Sequence, residues 1–143
     1  MGFFKRLLGI CETKLPSDDG CWRYADGRLD IELSRAPELA APGGALRFEG
    51  GALPKRVLLV HGPDGQFRAF PNRCTHAGHR RLDPVPGEPI VRCCSVGQSV
   101  FDYTGKRLSG SATESIQPLR VEATGDRLVI FVEEEGGTAD ARG

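Results

Sequence analysis

The chain has no excess of charge of either sign: 19 Lys and Arg stand against 19 Asp and Glu. It therefore lacks the basic footprint with which proteins hold nucleic acid. No run approaches the ~20 apolar residues that cross a bilayer as a helix, so a transmembrane segment is not expected. The apolar stretch within Gly2-Phe3-Phe4-Lys5-Arg6-Leu7-Leu8-Gly9-Ile10 is too short for the core of a secretion signal, and no small-residue cleavage site follows it. No Ser or Thr follows Gly2 where a myristoylation signal wants one. A phosphate-cradling glycine loop, a Ser-His-Asp pattern and a flavin or nicotinamide fingerprint are all missing, which sets aside the nucleotide-driven, hydrolytic and hydride-transfer classes. No internal repeat and no helix-rich second domain are visible. The expected compartment is the cytosol.

What is abundant is turn chemistry. The 143 residues include 19 glycines and 10 prolines. A single all-β domain with many loops is the expectation, large enough to bury a core. Residues 1–12 read as a short amphipathic helix, with Phe3, Phe4, Leu7, Leu8 and Cys11 on one face. That face packs on the chain's own domain or docks to a partner or membrane surface. Trp22-Arg23-Tyr24, the turn Ala25-Asp26-Gly27 and alternating Leu29, Ile31 and Leu33 predict a hairpin. Strands are predicted over Ala45 to Glu49, Lys55 to His61 and Gln66 to Phe70, the last two joined by the turn Gly62-Pro63-Asp64-Gly65. Pro71 to Gly110 reads as loop-rich, with short strands such as Pro89 to Arg92 and Val100 to Tyr103. Gln117 to Ala123 and Arg127 to Glu133 form a last hairpin, and residues 134–143 a disordered tail.

Five cysteines are present, Cys11, Cys21, Cys74, Cys93 and Cys94, an odd number. In a reducing compartment, cysteines clustered with histidines serve metals more often than disulfides. Such a cluster lies within residues 74–94: Cys74-Thr75-His76-Ala77-Gly78-His79, then a spacer, then Cys93-Cys94-Ser95-Val96-Gly97-Gln98-Ser99-Val100-Phe101-Asp102. Thiolates and imidazoles from two loops can converge on one metal centre. Arg73, Arg80, Arg81 and Arg92 flank the loops, as a solvated face or as charge that offsets the centre or guides an acidic partner. Cys21, beside Trp22, reads as a small buried hydrophobe, His61 as a satisfied histidine, and Asp83 as a residue that shapes the loop.

These motifs resemble the Rieske iron–sulfur family. Phe67-Arg68-Ala69-Phe70 leading into Asn72-Arg73-Cys74-Thr75-His76-Ala77-Gly78 is similar to its first ligand loop. Cys94 to Asp102 is similar to its second, commonly Cys-x-x-His-Gly-x-x-Phe-Asp. The match extends over roughly residues 43–132. The resemblance implies an antiparallel sandwich or open barrel with a small cluster-binding subdomain at 71–110. It also implies a [2Fe-2S] cluster, single-electron carriage and a redox protein as partner. The chain would act as a ferredoxin-like carrier or a small oxidoreductase subunit, not as an enzyme alone. Carried over, Cys74 and Cys94 hold one iron and His76 the other.

One departure is specific. Gly97 occupies the position of the second histidine and has no side chain to ligate. Three replacements are open. Cys93 would give a three-Cys, one-His set, favoured by thiolate softness; that set would lower the potential below the roughly −150 to +300 mV of His-ligated centres. Neighbouring residues on a strand point to opposite faces, however, so Cys93 and Cys94 reach one centre only if the chain bends. The site could instead be empty, leaving a cluster-free interaction module. His79 is the third candidate, at a place where some family members carry a cysteine close to the cluster. Cys74, His76, Cys93 and Cys94 would also suit structural zinc, and a vicinal Cys93–Cys94 disulfide would make a redox switch.

Overall fold

The computed structural model describes residues 13–73, 81–85, 87–94, 99–110 and 115–133. The expected amino-terminal helix and carboxy-terminal tail lie outside the described residues. Eleven strands are formed among those residues: β1 (Trp22–Ala25), β2 (Arg28–Glu32), β3 (Ala45–Phe48), β4 (Val57–His61), β5 (Phe67–Pro71), β6 (Leu82–Pro84), β7 (Ile90–Cys93), β8 (Val100–Asp102), β9 (Arg107–Ser109), β10 (Arg120–Thr124) and β11 (Arg127–Phe131). They make three antiparallel sheets in the orders β1-β2-β11-β10, β3-β4-β5 and β6-β7-β8-β9. The fold is all-β and does not close into a barrel. Helical structure among the described residues is confined to three-residue 3-10 turns.

The first hairpin turns at Asp26 and Gly27, both at positive φ (51° and 79°). That is the two-residue geometry whose twist matches paired strands. Alternation then decides the faces. Leu29 and Ile31 are buried opposite Ile130 and Leu128, while Arg28, Asp30 and Arg127 look outward. Leu33, predicted to continue this strand, begins a 3-10 turn instead.

β4 explains how the sheets are stacked. Val57, Leu58, Leu59 and Val60 are all buried. Val57 and Leu59 enter one apolar cluster with Leu29, Ile31, Phe48, Leu128 and Ile130. Leu58 and Val60 enter a second with Phe70, Leu82, Val91, Cys93, Phe101 and Ile116. The continuous apolar run is therefore the signature of a strand covered on both faces. The β6–β9 sheet packs on the far face of β3-β4-β5, and a bridge between Ala69 and Leu119 links the middle sheet to the lead of β10.

β6 and β9 fall where the sequence predicts loop. Each has three residues, β6 contains Pro84, and every residue of β9 is exposed. Strands this short carry no readable alternation and depend on pairing with β7 and β8.

Candidate metal centre

The two segments that resemble ligand loops spring from one end of the β6–β9 sheet. The first leaves β5 and returns at β6; the second leaves β7 and returns at β8. Their stems are joined in register: Leu82 pairs with Cys93, and the Cys94 amide donates to Arg81 O at 3.0 Å. The second segment is closed at its base by the Cys93 amide donating to Ser99 O at 2.8 Å. The first is closed by a side chain. Asn72 Oδ1 accepts from the Leu82 amide at 2.7 Å, across the whole segment.

Asn72 is fully buried and doubly tied to Arg56. Its amide donates to Arg56 O at 2.9 Å, and its carbonyl accepts from Arg56 Nε at 3.2 Å. Its Nδ2 has no hydrogen-bond partner among the described residues.

A second lock sits beside the first segment's return. Glu49, one residue past β3, accepts from Arg81 Nε at 2.5 Å and Nη2 at 3.0 Å, and from Arg47 Nη1 at 3.1 Å. Burial pushes the Glu49 carboxyl up, but Arg81 and then Arg47 outweigh it and hold it below its ordinary value. The same bond raises the Arg81 guanidinium. Burial, then the positive charge of Arg81, lowers Arg56. Arg81 is thus a structural ion-pair partner, where the sequence offered a solvated face or a charge near the centre. Arg47 also donates through Nε to Thr13 O at 3.0 Å, while the Thr13 amide donates to Asp83 Oδ1 at 3.0 Å. Asp83, expected to shape a loop, stands in β6 and anchors the start of the described chain.

The candidate ligands divide. Cys74, His76, His79 and Gly97 lie outside the described residues. Cys93 and Cys94 are described and buried. Cys93 lies within the apolar cluster of Leu58, Phe70, Leu82 and Phe101. Strand alternation thus turns it into the core. Cys94, the next residue, is disulfide-bonded. The vicinal Cys93–Cys94 bridge weighed from the sequence is not formed. Cys21 is a buried free thiol, pushed up to about 11 by burial and then by the negative charges of Asp18 and Glu38. His61 lies with Nδ1 2.9 Å from Leu39 O and stacks on Phe67 at 4.3 Å. Glu49 and Asn72 are the residues that sequence reasoning missed as site residues. Asn72 stood in the quoted motif, two positions before Cys74, but nothing in the pattern assigns its side chain a partner.

No protein-family model matches the chain. Among curated proteins it is 28% identical over 113 residues to the glycine betaine monooxygenase oxygenase subunit of Pseudomonas aeruginosa, in two strains, covering 72% of this chain and 26% of that protein. The chain thus spans about a quarter of the curated relatives it matches. Among solved structures, the quaternary ammonium Rieske monooxygenase CntA superposes with a TM-score of 0.53 in complex with an inhibitor, at 23% identity over 68% of this chain and 30% of that one. Its apo form gives 0.52 at 21% identity, over 74% of this chain and 35% of that one.

Proposed function

The described residues have a Rieske-type fold, and we propose from it that the chain is an iron–sulfur electron carrier that binds a [2Fe-2S] cluster and passes single electrons to or from a redox protein. The observation that carries the reading is the shared stem: both ligand-like segments rise from adjoining, hydrogen-bonded ends of β6 and β7, with Cys94 buried where they meet. The oxygenase activity named for the relatives belongs to proteins of which this chain matches about a quarter, so electron transfer is the part proposed here.

The donor set fits such a group in kind. Cys74 and Cys94 would supply thiolates to one iron and His76 an imidazole to the other. The orphaned, buried Asn72 Nδ2 supports an acceptor at the base of the first segment. Gly97 leaves the fourth position unfilled. The inward turn of Cys93 favours His79 there over a third thiolate. It also weighs against a zinc site built on Cys93. A [2Fe-2S] cluster supplies one-electron redox chemistry when bound. The protein's own part is to hold the two stems together through Arg81, Cys94 and Asn72.

Iron and acid-labile sulfide per chain test this, on protein purified without oxygen and with reductant present. The wild type should be brown and carry about two of each. Cys94→Ala should abolish both, His79→Ala should reduce them, and Cys93→Ala should retain them. Loss of iron in a folded Cys93→Ala would return the fourth position to Cys93. No iron and no sulfide in the wild type would refute the carrier and leave a Rieske-type fold serving as an interaction module, or as a zinc site if zinc is found instead.

A further inference from the structure

We propose that the end of the molecule carrying Arg47, Lys55, Arg56, Arg73 and Arg81 is a docking surface for a protein partner with an acidic face. The proposal deepens the electron-carrier reading and rests on it for one point, that the partner is a redox protein. It starts from a charge imbalance. The whole chain balances 19 Lys and Arg against 19 Asp and Glu. These five cations do not share that balance. The Asn72 amide donates to Arg56 O at 2.9 Å, which lays Lys55-Arg56 beside Asn72-Arg73 where β4 begins and β5 ends. Glu49 draws Arg81 and Arg47 onto its carboxylate. Arg56 feels the positive charges of Arg81, Arg73 and Arg47 against the negative charge of Glu49. Glu49 carries one charge and cannot neutralise the group. Asp83, farther along, accepts from the Thr13 amide and stands opposite Arg92 in the β6–β7 ladder.

Place and rigidity say what such a surface receives. Like charges gathered on one face repel, and an anionic surface laid over them relieves that repulsion. Three of the guanidiniums are already held: Arg81 and Arg47 by Glu49, and Arg56 through Nε by Asn72 O at 3.2 Å. A partner therefore orders few side chains on binding. Lys55 and Arg73 are exposed, and the Arg81 side chain is 37% exposed. Nucleic acid calls for a basic stripe, which a chain of zero net charge lacks. A compact acidic protein face needs only a patch on the scale of the Debye length, ~10 Å at ~0.1 M salt. The patch also adjoins Cys94, whose amide donates to Arg81 O at 3.0 Å. In the electron-carrier reading, a partner seated there lies close to the group that Cys94 would hold, and electron transfer slows steeply with distance.

The probe is fluorescein-labelled poly-L-glutamate, a carboxylate surface, followed by anisotropy at low salt. The full chain is compared with two double variants of equal charge change. One is Lys55→Gln with Arg73→Gln in the patch. The other is Arg23→Gln with Arg127→Gln, two exposed residues of the β1-β2-β11-β10 sheet. The patch double should bind about fivefold or more weakly than wild type, and the second double within about twofold of it. Added salt should erase the difference. Equal losses in both doubles, or no loss in a folded patch double, would overturn the surface. Vesicles of anionic phospholipid and duplex DNA are run in parallel, and a patch-dependent loss confined to either would overturn the protein partner. Should the patch double fail to fold, Lys55→Gln alone replaces it and should still weaken binding more than the second double does; a smaller effect would overturn the surface. Binding of the probe needs no iron, so the two readings fail separately. Protein that takes up no iron but keeps patch-dependent binding retains the surface and loses only the redox character of its partner. Iron-loaded protein without such binding retains the carrier and loses the surface.

Discussion

Replacing Glu49 by Gln should loosen the lock between the middle sheet and the first ligand segment without altering side-chain volume. Glu49 takes two bonds from Arg81 and one from Arg47. Its side chain is 19% exposed and that of Arg81 37%. Hydrogen bonds to charged groups contribute about 1.5–3 kcal/mol when sheltered, and exposed ion pairs about 0–1 kcal/mol. This half-sheltered pair falls between, and Gln keeps one acceptor, so the loss is about 1–2 kcal/mol. In a chain of this size that lowers Tm by roughly 3–8 °C. The pH dependence follows from the depressed carboxyl. A carboxylate held below its ordinary value in the folded state stabilises fully above the unfolded value of 4.5 and loses that contribution as pH falls through the folded one. The gap between wild type and Glu49→Gln should therefore be complete near neutral pH and close as pH falls below 4.5 through the depressed folded value. Circular dichroism melts of both proteins across that range would measure it, in low and high salt, where screening should narrow the neutral-pH gap in part. A gap of the same size at both ends of the range, or none at neutral pH, would refute the assignment of Glu49 as an ionised clamp.

Other substitutions probe other parts of the fold. Leu58→Ala should cost about 2–5 kcal/mol in denaturant unfolding, because Leu58 is fully buried in the second apolar cluster beneath the candidate centre. Gly105→Ala should destabilise by about 2 kcal/mol or more: Gly105 is buried, has φ +91°, and an added Cβ would meet Ile116 O. The Cys21 thiol, raised to about 11, should resist alkylation in the native protein near pH 8 and react only on unfolding; fast native-state labelling at Cys21 would contradict its burial. Cys93→Ser should destabilise by about 1–3 kcal/mol, since it places a hydroxyl in an apolar cluster, and wild-type stability would show that Cys93 does not occupy the core.

Much of the scaffold was legible along the chain because its signals are local. The Asp26-Gly27 turn needs residues that tolerate positive φ, and the alternation at Leu29 and Ile31 reports one covered face. The resemblance carried by Asn72 to Gly78 and Cys94 to Asp102 pointed to the fold that the described strands form. That Gly97 cannot ligate also needs no coordinates. What tertiary structure alone decided is which way each buried side chain turns and what it meets. That Cys93, opposite Leu82 in β6, is buried in the second apolar cluster could not be read from the sequence. Arg81 looked like a solvated cation until Glu49, 32 residues earlier, came within reach of it. The Asn72 Oδ1 bond to the Leu82 amide joins residues ten apart, a contact that no local periodicity encodes. Each is a contact between distant parts of the chain, and it exists only once β4 has been covered on both faces and the stems of β6 and β7 have been brought together.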